Sequence, residues 1–217
     1  MQTIWVYGCS FSEPFQLEGK DKNGDYLPVE RDNNGNRILK ADYWGSILAR
    51  NLGFEVRTRS WAGCGWNKIQ SEIQKTWMSW DTDDIIIISP SFFSRPTIVE
   101  FQDWRTIKYV SLLKSIKEIQ TYNEERWLST VRFTQRAGFR VYTWLVDAVE
   151  FESIPENTIP APDGDINWQN WMMNHKEYWT SLPGEVYEKG DWHFNAECHK
   201  VVAERMYNYI KYENTNN

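Results

Sequence analysis

Apolar and polar positions along the chain predict strands that alternate with helices. Short apolar or alternating runs predict four strands, at residues 3–7 (TIWVY), 54–60, 84–89 and 139–146. Apolar residues recurring every three or four positions predict helices at residues 43–51, 67–80, 101 to about 137, 168–179 and 194–212. The run DIIIIS at residues 84–89 is typical of a strand inside a parallel sheet. This order predicts an α/β fold, a three-layer α/β/α sandwich with a flavodoxin-like parallel sheet.

Several local features follow from the same pattern. Asp42 is expected to cap the helix over residues 43–51, which should end at Gly53. The helix over residues 101–137 is expected to break near residues 122–123, and residues 152–165 to form a proline-rich loop. Two helices have predicted buried stripes: Ile69, Ile73 and Trp77 in the first, and Val201, Val202, Met206, Tyr209 and Ile210 in the last.

A polar segment interrupts the pattern after the first strand. Residues 13–41 are rich in Asn, Gly and Asp, with turn signals in DKNGDY and DNNGNR. We interpret this segment as an inserted hairpin or lid. Residues 1–217 are otherwise predicted to form a single domain, since 217 residues suit one core and no repeat is visible.

Charge and cysteine content exclude several classes of protein. The net charge is −6 and the pI about 5.2, without a basic block, so nucleic-acid and membrane-surface partners are not expected. The longest aliphatic run, residues 85–88, is too short to span a bilayer, and no signal peptide is visible at what looks like an intact N-terminus. We therefore expect a cytoplasmic protein. Three cysteines without regular spacing predict no disulfide framework, no metal site and no cofactor.

The aromatic content is unusual, with 13 Trp, 11 Tyr and 10 Phe. Aromatic faces pack on sugar rings as well as on each other, so the excess could form a carbohydrate platform. Several Trp residues fall where helices should face inward, which favours a large aromatic core. Both interpretations stay open at this point.

The end of the first strand carries a candidate nucleophile, Ser10, in the run YGCSFS. Gly8 allows a sharp turn there and close approach to a substrate. A serine hydroxyl needs a base, and His193 in GDWHFN is the candidate, with Asp191 as a carboxylate that would orient it. Cys9 could instead be a thiol nucleophile, although alternation should turn it the other way. The remaining histidines, His175 and His199, are expected to be structural.

Four blocks of this sequence resemble those of the SGNH/GDSL hydrolases, in the same order and strand context. They are YGCSFSEP, which resembles GDSxT or GDSxS, then WAGCGWN, IIIISPSFFSR and GDWHFNAECHKVVAERMYNYI. The compact blocks and the polar insertion are particularly similar to versions found in bacteriophage genomes. The resemblance covers nearly the whole chain and implies the SGNH hydrolase fold.

The resemblance also implies roles for individual residues. Ser10 would be the nucleophile and would donate its backbone N–H to the oxyanion, with His193 as general base and Asp191 as its partner. Gly65 would give a second N–H, with Gly63 as the nearer alternative. Ser91 is at the position nearest to the family's oxyanion-hole Asn, and Arg95 and Asn67 are the alternative substitutes for that Asn.

Three departures from the family pattern limit these expectations. Cys9 replaces the Asp before the nucleophile, Ser91 replaces the Asn, and Asp-x-His replaces Asp-x-x-His. Loss of one oxyanion donor costs about 10²–10³ in rate. Asp191 could also point away, as a helix N-cap, and leave a backbone carbonyl to orient His193.

We therefore expect a serine esterase, an acyl hydrolase that acts on a small-molecule or polysaccharide ester, with carbohydrate O-acetyl groups favoured. A lysophospholipase-type esterase is the second enzyme alternative. The alternative outside enzymes is a catalytically impaired structural or glycan-binding phage protein, for which association with a virion or as a homo-oligomer is possible.

Overall fold

The computed structural model describes most of the chain in nine stretches. These are residues 1–9, 12, 30–36, 38–39, 42–61, 64–90, 116–146, 153–178 and 194–213. Most of the predicted insertion at residues 13–41 lies outside them, as does the first part of the helix predicted from residue 101.

The described strands form one parallel sheet of four, in the order β2-β1-β3-β4. The strands are β1 (Thr3–Gly8), β2 (Glu55–Ser60), β3 (Ile85–Ile88) and β4 (Arg140–Thr143). The register places Gly8 beside Ser60 and Tyr7 beside Ile88, so the three strands end at one edge. β1 and β3 are buried along their whole length, as the continuous apolar run of β3 predicts.

Five helices accompany the sheet in the described residues: α1 (Trp44–Leu52), α2 (Trp66–Thr76), α3 (Ile116–Arg136), α4 (Trp168–Asn174) and α5 (Ala196–Glu213). Tyr7 of β1 hydrogen-bonds to Thr76 of α2, whereas Thr58, in register with Val6, hydrogen-bonds to Tyr43 beside α1. Because successive strand residues point to opposite faces, α1 and α2 cover opposite sides of the sheet. The predicted α/β/α sandwich is confirmed.

Tryptophan fills much of this core. Eight Trp side chains are buried: Trp5, Trp44, Trp66, Trp80, Trp127, Trp144, Trp168 and Trp171. They meet edge to face, for example Trp144 with Trp44 and with Trp168, both with ring centroids 5.4 Å apart. The core interpretation of the aromatic excess therefore holds for most described Trp residues, and Trp77 is the exposed exception.

The prediction for Trp77 was wrong. α2 ends at Thr76 and tightens into a 3-10 turn over Trp77–Ser79, which rotates Trp77 off the buried stripe. Trp80 takes the buried place, and its Nε1 donates to Tyr7 Oη at 2.9 Å.

The predicted helix break near residues 122–123 was also wrong. α3 is continuous from Ile116 to Arg136. Asn123 is only 3% exposed, so it lies on the buried face of the helix. Packing of that face stabilises the helix at residues of weak helix propensity.

Three predicted boundaries need correction. The N-cap of α1 is Tyr43, whose N–H donates to Ser46 Oγ, while Asp42 pairs with Arg50 at 2.8 Å. β4 is shorter than predicted because only isolated bridges, at Thr143 and Leu145, continue it beyond the sheet. α5 begins at Ala196, after the N-cap Asn195, whose Oδ1 accepts from the N–H of Cys198 at 2.9 Å.

The buried face of α5 is otherwise close to the prediction. Val202, Met206 and Ile210 are buried, and Val201 and Tyr209 are half-buried against the core. No helix in the described residues is both long and apolar enough to cross a membrane.

Candidate functional site

Most of the predicted site residues follow the carboxyl end of a strand in the sequence, so they are expected at the carboxyl edge of the sheet. From β1 the chain crosses to β2 on one side, and β3 then lies on the other side of β1. Crevices at such a reversal of strand order, outside the carboxyl ends of the strands, are the usual ligand sites of open parallel sheets. Gly8, at the end of β1, lies at this point.

Gly8 is in contact with the chain that follows each neighbouring strand. Its carbonyl oxygen accepts from the N–H of Trp61 at 3.2 Å and from Sγ of Cys64 at 3.5 Å, both beyond β2. A Cβ at Gly8 would lie 2.2 Å from Ser12 Oγ and 3.2 Å from the Cβ of Ser89, which follows β3. Close approach, rather than a positive φ angle, is what requires glycine here.

Six predicted site residues lie outside the described residues: Ser10, Gly63, Ser91, Arg95, Asp191 and His193. Their described neighbours are nevertheless placed. Cys9 is buried, and its carbonyl accepts from the N–H of Ser12 at 3.0 Å, which fixes the chain on both sides of residues 10 and 11. Pro90, the residue before Ser91, is also buried at this edge.

Of the three predicted oxyanion donors, Ser10, Gly65 and Ser91, only Gly65 lies in the described residues. It is the buried N-cap of α2, with φ −98° and ψ −180°. Its carbonyl accepts from the N–H of Lys68 at 3.2 Å, while its own N–H makes no hydrogen bond within the described residues. The positive end of the helix dipole lies at the same place, so this N–H is available to an anionic oxygen.

Three buried serine hydroxyls surround Gly8, and this was not predicted. Ser12, Ser60 and Ser89 are fully buried, and none of their Oγ atoms has a hydrogen-bond partner in the described residues. A buried hydroxyl without a partner costs about 1–3 kcal/mol, so such a group is normally satisfied by water or a ligand. Ser12 and Ser89 stand inside blocks that the sequence singled out, but neither was named as a site residue, and Ser60 lies just before the second block.

The chain before α5 reaches the same edge of the sheet. Phe194 is buried, and its ring centroid lies 5.8 Å from that of Trp144, immediately after β4. The N–H of Asn195 donates to the carbonyl of Tyr178 at 2.9 Å. His193 directly precedes this fixed segment. Since Asn195 caps α5, the alternative of Asp191 as N-cap is wrong. The pairing of Asp191 with His193 stays a prediction.

A cationic rim on the β2 side was missed by the sequence interpretation. Arg31 lies over the ring of Trp61 at 3.9 Å and donates to the carbonyl of Ser60 at 2.6 Å. Lys68 lies 4.4 Å from the same ring. Arg31 belongs to the described end of the insertion, so that segment is tied to the candidate site by stacking and hydrogen bonding.

Glu72 forms ion pairs with Lys68 of this rim and with two further basic side chains. The carboxylate is 2% exposed and pairs with Lys75 at 2.7 Å, with Lys68 at 3.1 Å and with Arg59 at 3.1 Å. Burial alone would raise the pKa of the Glu72 carboxyl, but the hydrogen bonds from Lys75 and Lys68 outweigh it and leave the pKa below its usual value. Glu72 is therefore an anion at neutral pH.

The remaining candidates, His199, His175 and Asn67, are each engaged in contacts within the fold. His199 is buried, and its Nδ1 accepts from the N–H of Trp44 at 3.3 Å. The ring centroids of His175 and Trp171 lie 4.8 Å apart, and Nδ1 of His175 lies 3.0 Å from Oε1 of Glu177. Asn67 Oδ1 accepts from Arg126 of α3 at 3.1 Å, which directs this carboxamide toward the neighbouring helix.

Cys9, Cys64 and Cys198 all lie in the described residues, where they form no disulfide and are buried. Cys9 is 1% exposed, as its predicted inward orientation requires. Burial raises the pKa of the Cys198 thiol. Within the described residues, no group of three His, Cys, Asp or Glu side chains could hold a metal ion.

The fold is similar to that of a protein of known structure. No family model and no curated protein matches the sequence. Among solved structures, the chain is similar to a protein from Parabacteroides merdae described as a GDSL-like lipase, with a TM-score of 0.52 at 11% identity, over 96% of this chain and 94% of that chain. The fold is that of the SGNH hydrolases.

Two further structures are similar at lower scores. An acetylxylan esterase from Geobacillus stearothermophilus has a TM-score of 0.44 and 12% identity, over 96% of this chain and 94% of that chain. A family two carbohydrate esterase from Clostridium thermocellum has a TM-score of 0.42 and 16% identity, over 98% of this chain and 64% of that chain.

Proposed function

We propose that this protein is a serine ester hydrolase with Ser10 as nucleophile and His193 as general base. The observation that carries the proposal is the packing at Gly8. One glycine, two residues before Ser10, contacts Trp61 and Cys64 beyond β2 and Ser89 beyond β3. The first three of the four sequence blocks are thus joined at the end of β1, at the edge where this fold places a ligand, and the fourth, with His193, is assigned to that edge from the family resemblance.

The reaction divides into two acyl transfers. The Ser10 hydroxyl attacks the ester carbonyl carbon as His193 takes its proton, and collapse of the tetrahedral intermediate releases the alcohol, which receives that proton. Water then attacks the acyl-enzyme with His193 again as base, which releases the carboxylic acid and restores Ser10. Asp191 would hold the imidazole in the tautomer that this transfer needs.

The oxyanion would be bound by backbone N–H groups of Ser10 and Gly65. The N–H of Gly65 has no acceptor among the described residues and lies at the positive end of α2, which supports the second assignment. Ser91 would supply a hydroxyl where the family has an Asn carboxamide. A hydroxyl is shorter and rotates, so we expect a slower enzyme than one with the carboxamide.

For the substrate we propose an O-acetylated carbohydrate. The support is the family resemblance of the blocks, since most of the aromatic excess is accounted for by the buried core. A bacteriophage origin, and association with a virion or as a homo-oligomer, remain predictions from the sequence. The departures at Cys9 and Ser91 favour, as second candidate, a catalytically impaired member that binds glycan without hydrolysing it.

The test is hydrolysis of p-nitrophenyl acetate and of an acetylated xylan, combined with fluorophosphonate labelling. We expect labelling and turnover by the intact protein and the loss of both in Ser10→Ala, while Ser79→Ala, an exposed serine after α2, keeps both. Full turnover by Ser10→Ala would exclude the mechanism. A folded protein without any labelling would support the non-catalytic candidate, and a preference for long acyl chains would support a lysophospholipase-type esterase.

A further inference from the structure

A groove between α2 and α3 lies outside the candidate active site. It encloses about 490 Å³, within the range typical of small-ligand sites, and every residue that lines it belongs to the described part of the chain. The two helices pack on the same side of the sheet, and the groove lies along their outer surface. Nothing in the proposed ester hydrolysis uses it.

Exposed aromatic rings line this groove. Trp77 is 44% exposed, Tyr122 is 50% exposed and Phe133 is 63% exposed. Most described Trp side chains are buried, so Trp77 is unusual in this protein. Large rings left in solvent and grouped in one concave surface mark a binding site more often than isolated exposed rings do.

Uncommitted polar groups lie between the rings. The side chains of Gln74, Glu125 and Ser129 are exposed and line the groove, and none has a hydrogen-bond or ion-pair partner within the described residues. An amide, a carboxylate and a hydroxyl together offer both donors and acceptors. Such a mixture suits a ligand that presents hydroxyl groups along its edges and apolar C–H faces to the rings.

Arg126 fixes the end of the groove that is nearer to the candidate active site. Its guanidinium donates to Asn67 Oδ1 at 3.1 Å, to Tyr122 Oη at 2.9 Å and to Gln70 Oε1. With Glu125 the groove carries one charge of each sign, so a neutral ligand is favoured over a strongly charged one.

We propose that this groove binds a neutral oligosaccharide, stacked on Trp77 and Phe133 and hydrogen-bonded by Gln74, Glu125 and Ser129. Tyr122 and Phe133 are eleven residues apart on α3, which is about 16 Å along a helix axis. A ligand that touches both rings is therefore longer than one sugar. The groove is a second site, distinct from the carboxyl edge, and does not depend on the proposed esterase activity.

The position of the groove gives this binding a function if the protein is an esterase. Gln70, at the near end, follows Gly65 by five residues, about 7 Å along α2. A polysaccharide held in the groove could continue past Asn67 toward the edge where Ser10 follows β1. The groove would then keep a polymeric substrate at the enzyme between successive deacetylations.

The experiment measures binding directly, by calorimetry with xylohexaose, cellohexaose and chitohexaose and by NMR of the Trp77 indole N–H. We expect at least one of these to bind and to shift the indole signal. Trp77→Ala and Phe133→Ala should each weaken binding about tenfold or more. Met78→Ala is the matched control, since Met78 is 81% exposed beside Trp77 but does not line the groove.

The outcomes separate clearly. Absence of binding for all three oligosaccharides, or equal binding by the parent and by Trp77→Ala, would overturn the proposal. Concentration-dependent dimerisation that Trp77→Ala abolishes would also overturn it, because the groove would then be an interface between copies of this chain. Since the readout is binding rather than turnover, failure of the proposed esterase activity would leave this test intact.

Discussion

The replacement of Gly8 by Ala tests the packing on which the candidate site depends. The new Cβ would lie 2.2 Å from Ser12 Oγ and 2.7 Å from Ser12 Cβ, where ordinary van der Waals contact begins at 3.4 Å. Ser12 is fully buried and its N–H is bonded to the carbonyl of Cys9. It cannot move without disturbing the chain on either side of Ser10.

The magnitude follows from these distances. The clash with Ser12 Oγ is 1.2 Å inside ordinary contact, and the Cβ of Ser89 at 3.2 Å limits retreat on the other side. Overpacking of this kind costs about 1–3 kcal/mol, and Ala recovers about 0.5–1 kcal/mol relative to Gly in a strand. We expect a net loss of about 1–2 kcal/mol in the free energy of unfolding, or about 2–8 °C in Tm for a chain of this size.

The assay is urea unfolding with parallel hydrolysis of p-nitrophenyl acetate, applied to Gly8→Ala, Ser12→Gly and the double variant. Removal of the Ser12 side chain leaves only Ser89 near the new Cβ, so the double variant should recover at least about 1 kcal/mol of the loss. Wild-type stability of Gly8→Ala, or additive effects in the double variant, would refute the close-contact explanation.

Two further predictions concern groups that support the candidate site. Glu72→Gln should lower the free energy of unfolding by about 2 kcal/mol at pH 7. Because folding lowers the pKa of Glu72, its contribution is present above the unfolded pKa and disappears as pH falls through the folded value. Urea unfolding at pH 7 and at pH 3 should therefore show a smaller difference at pH 3, and an unchanged difference would contradict the ion-pair assignment. Asn195→Ala should cost about 1 kcal/mol as a lost N-cap, whereas Asn195→Ser keeps an oxygen that accepts from the N–H of Cys198 and should retain part of it. Asp is unsuitable here because Nδ2 of Asn195 donates to the carbonyl of Glu177. Equal thermal unfolding of both variants would contradict the capping role.

The sequence alone was sufficient for the order of strands and helices and for the fold class. The period of the apolar positions is a local property, so both ends of the buried strand β3 and the start of the amphipathic helix α2 were predicted within one residue. The end of α2 was placed four residues too late. Gly8 was singled out by its place before Ser10, and Gly65 only by the family resemblance. Alternation along the strand predicted that Cys9 turns the other way from Ser10. The roles of Ser10, Ser91, Asp191 and His193 stay predictions.

Tertiary structure decided what local patterns cannot encode. Trp77 has the correct period for burial, yet the helix tightens at Thr76 so that Trp80 can reach Tyr7 on the sheet, and Trp77 is left exposed. Ser60 and Ser89 lie far apart in sequence, and both flank Gly8 only because parallel strands end at a common edge. Burial, helix packing and shared strand ends are properties of the assembled chain, and they determine which serines, aromatic rings and charges can act together.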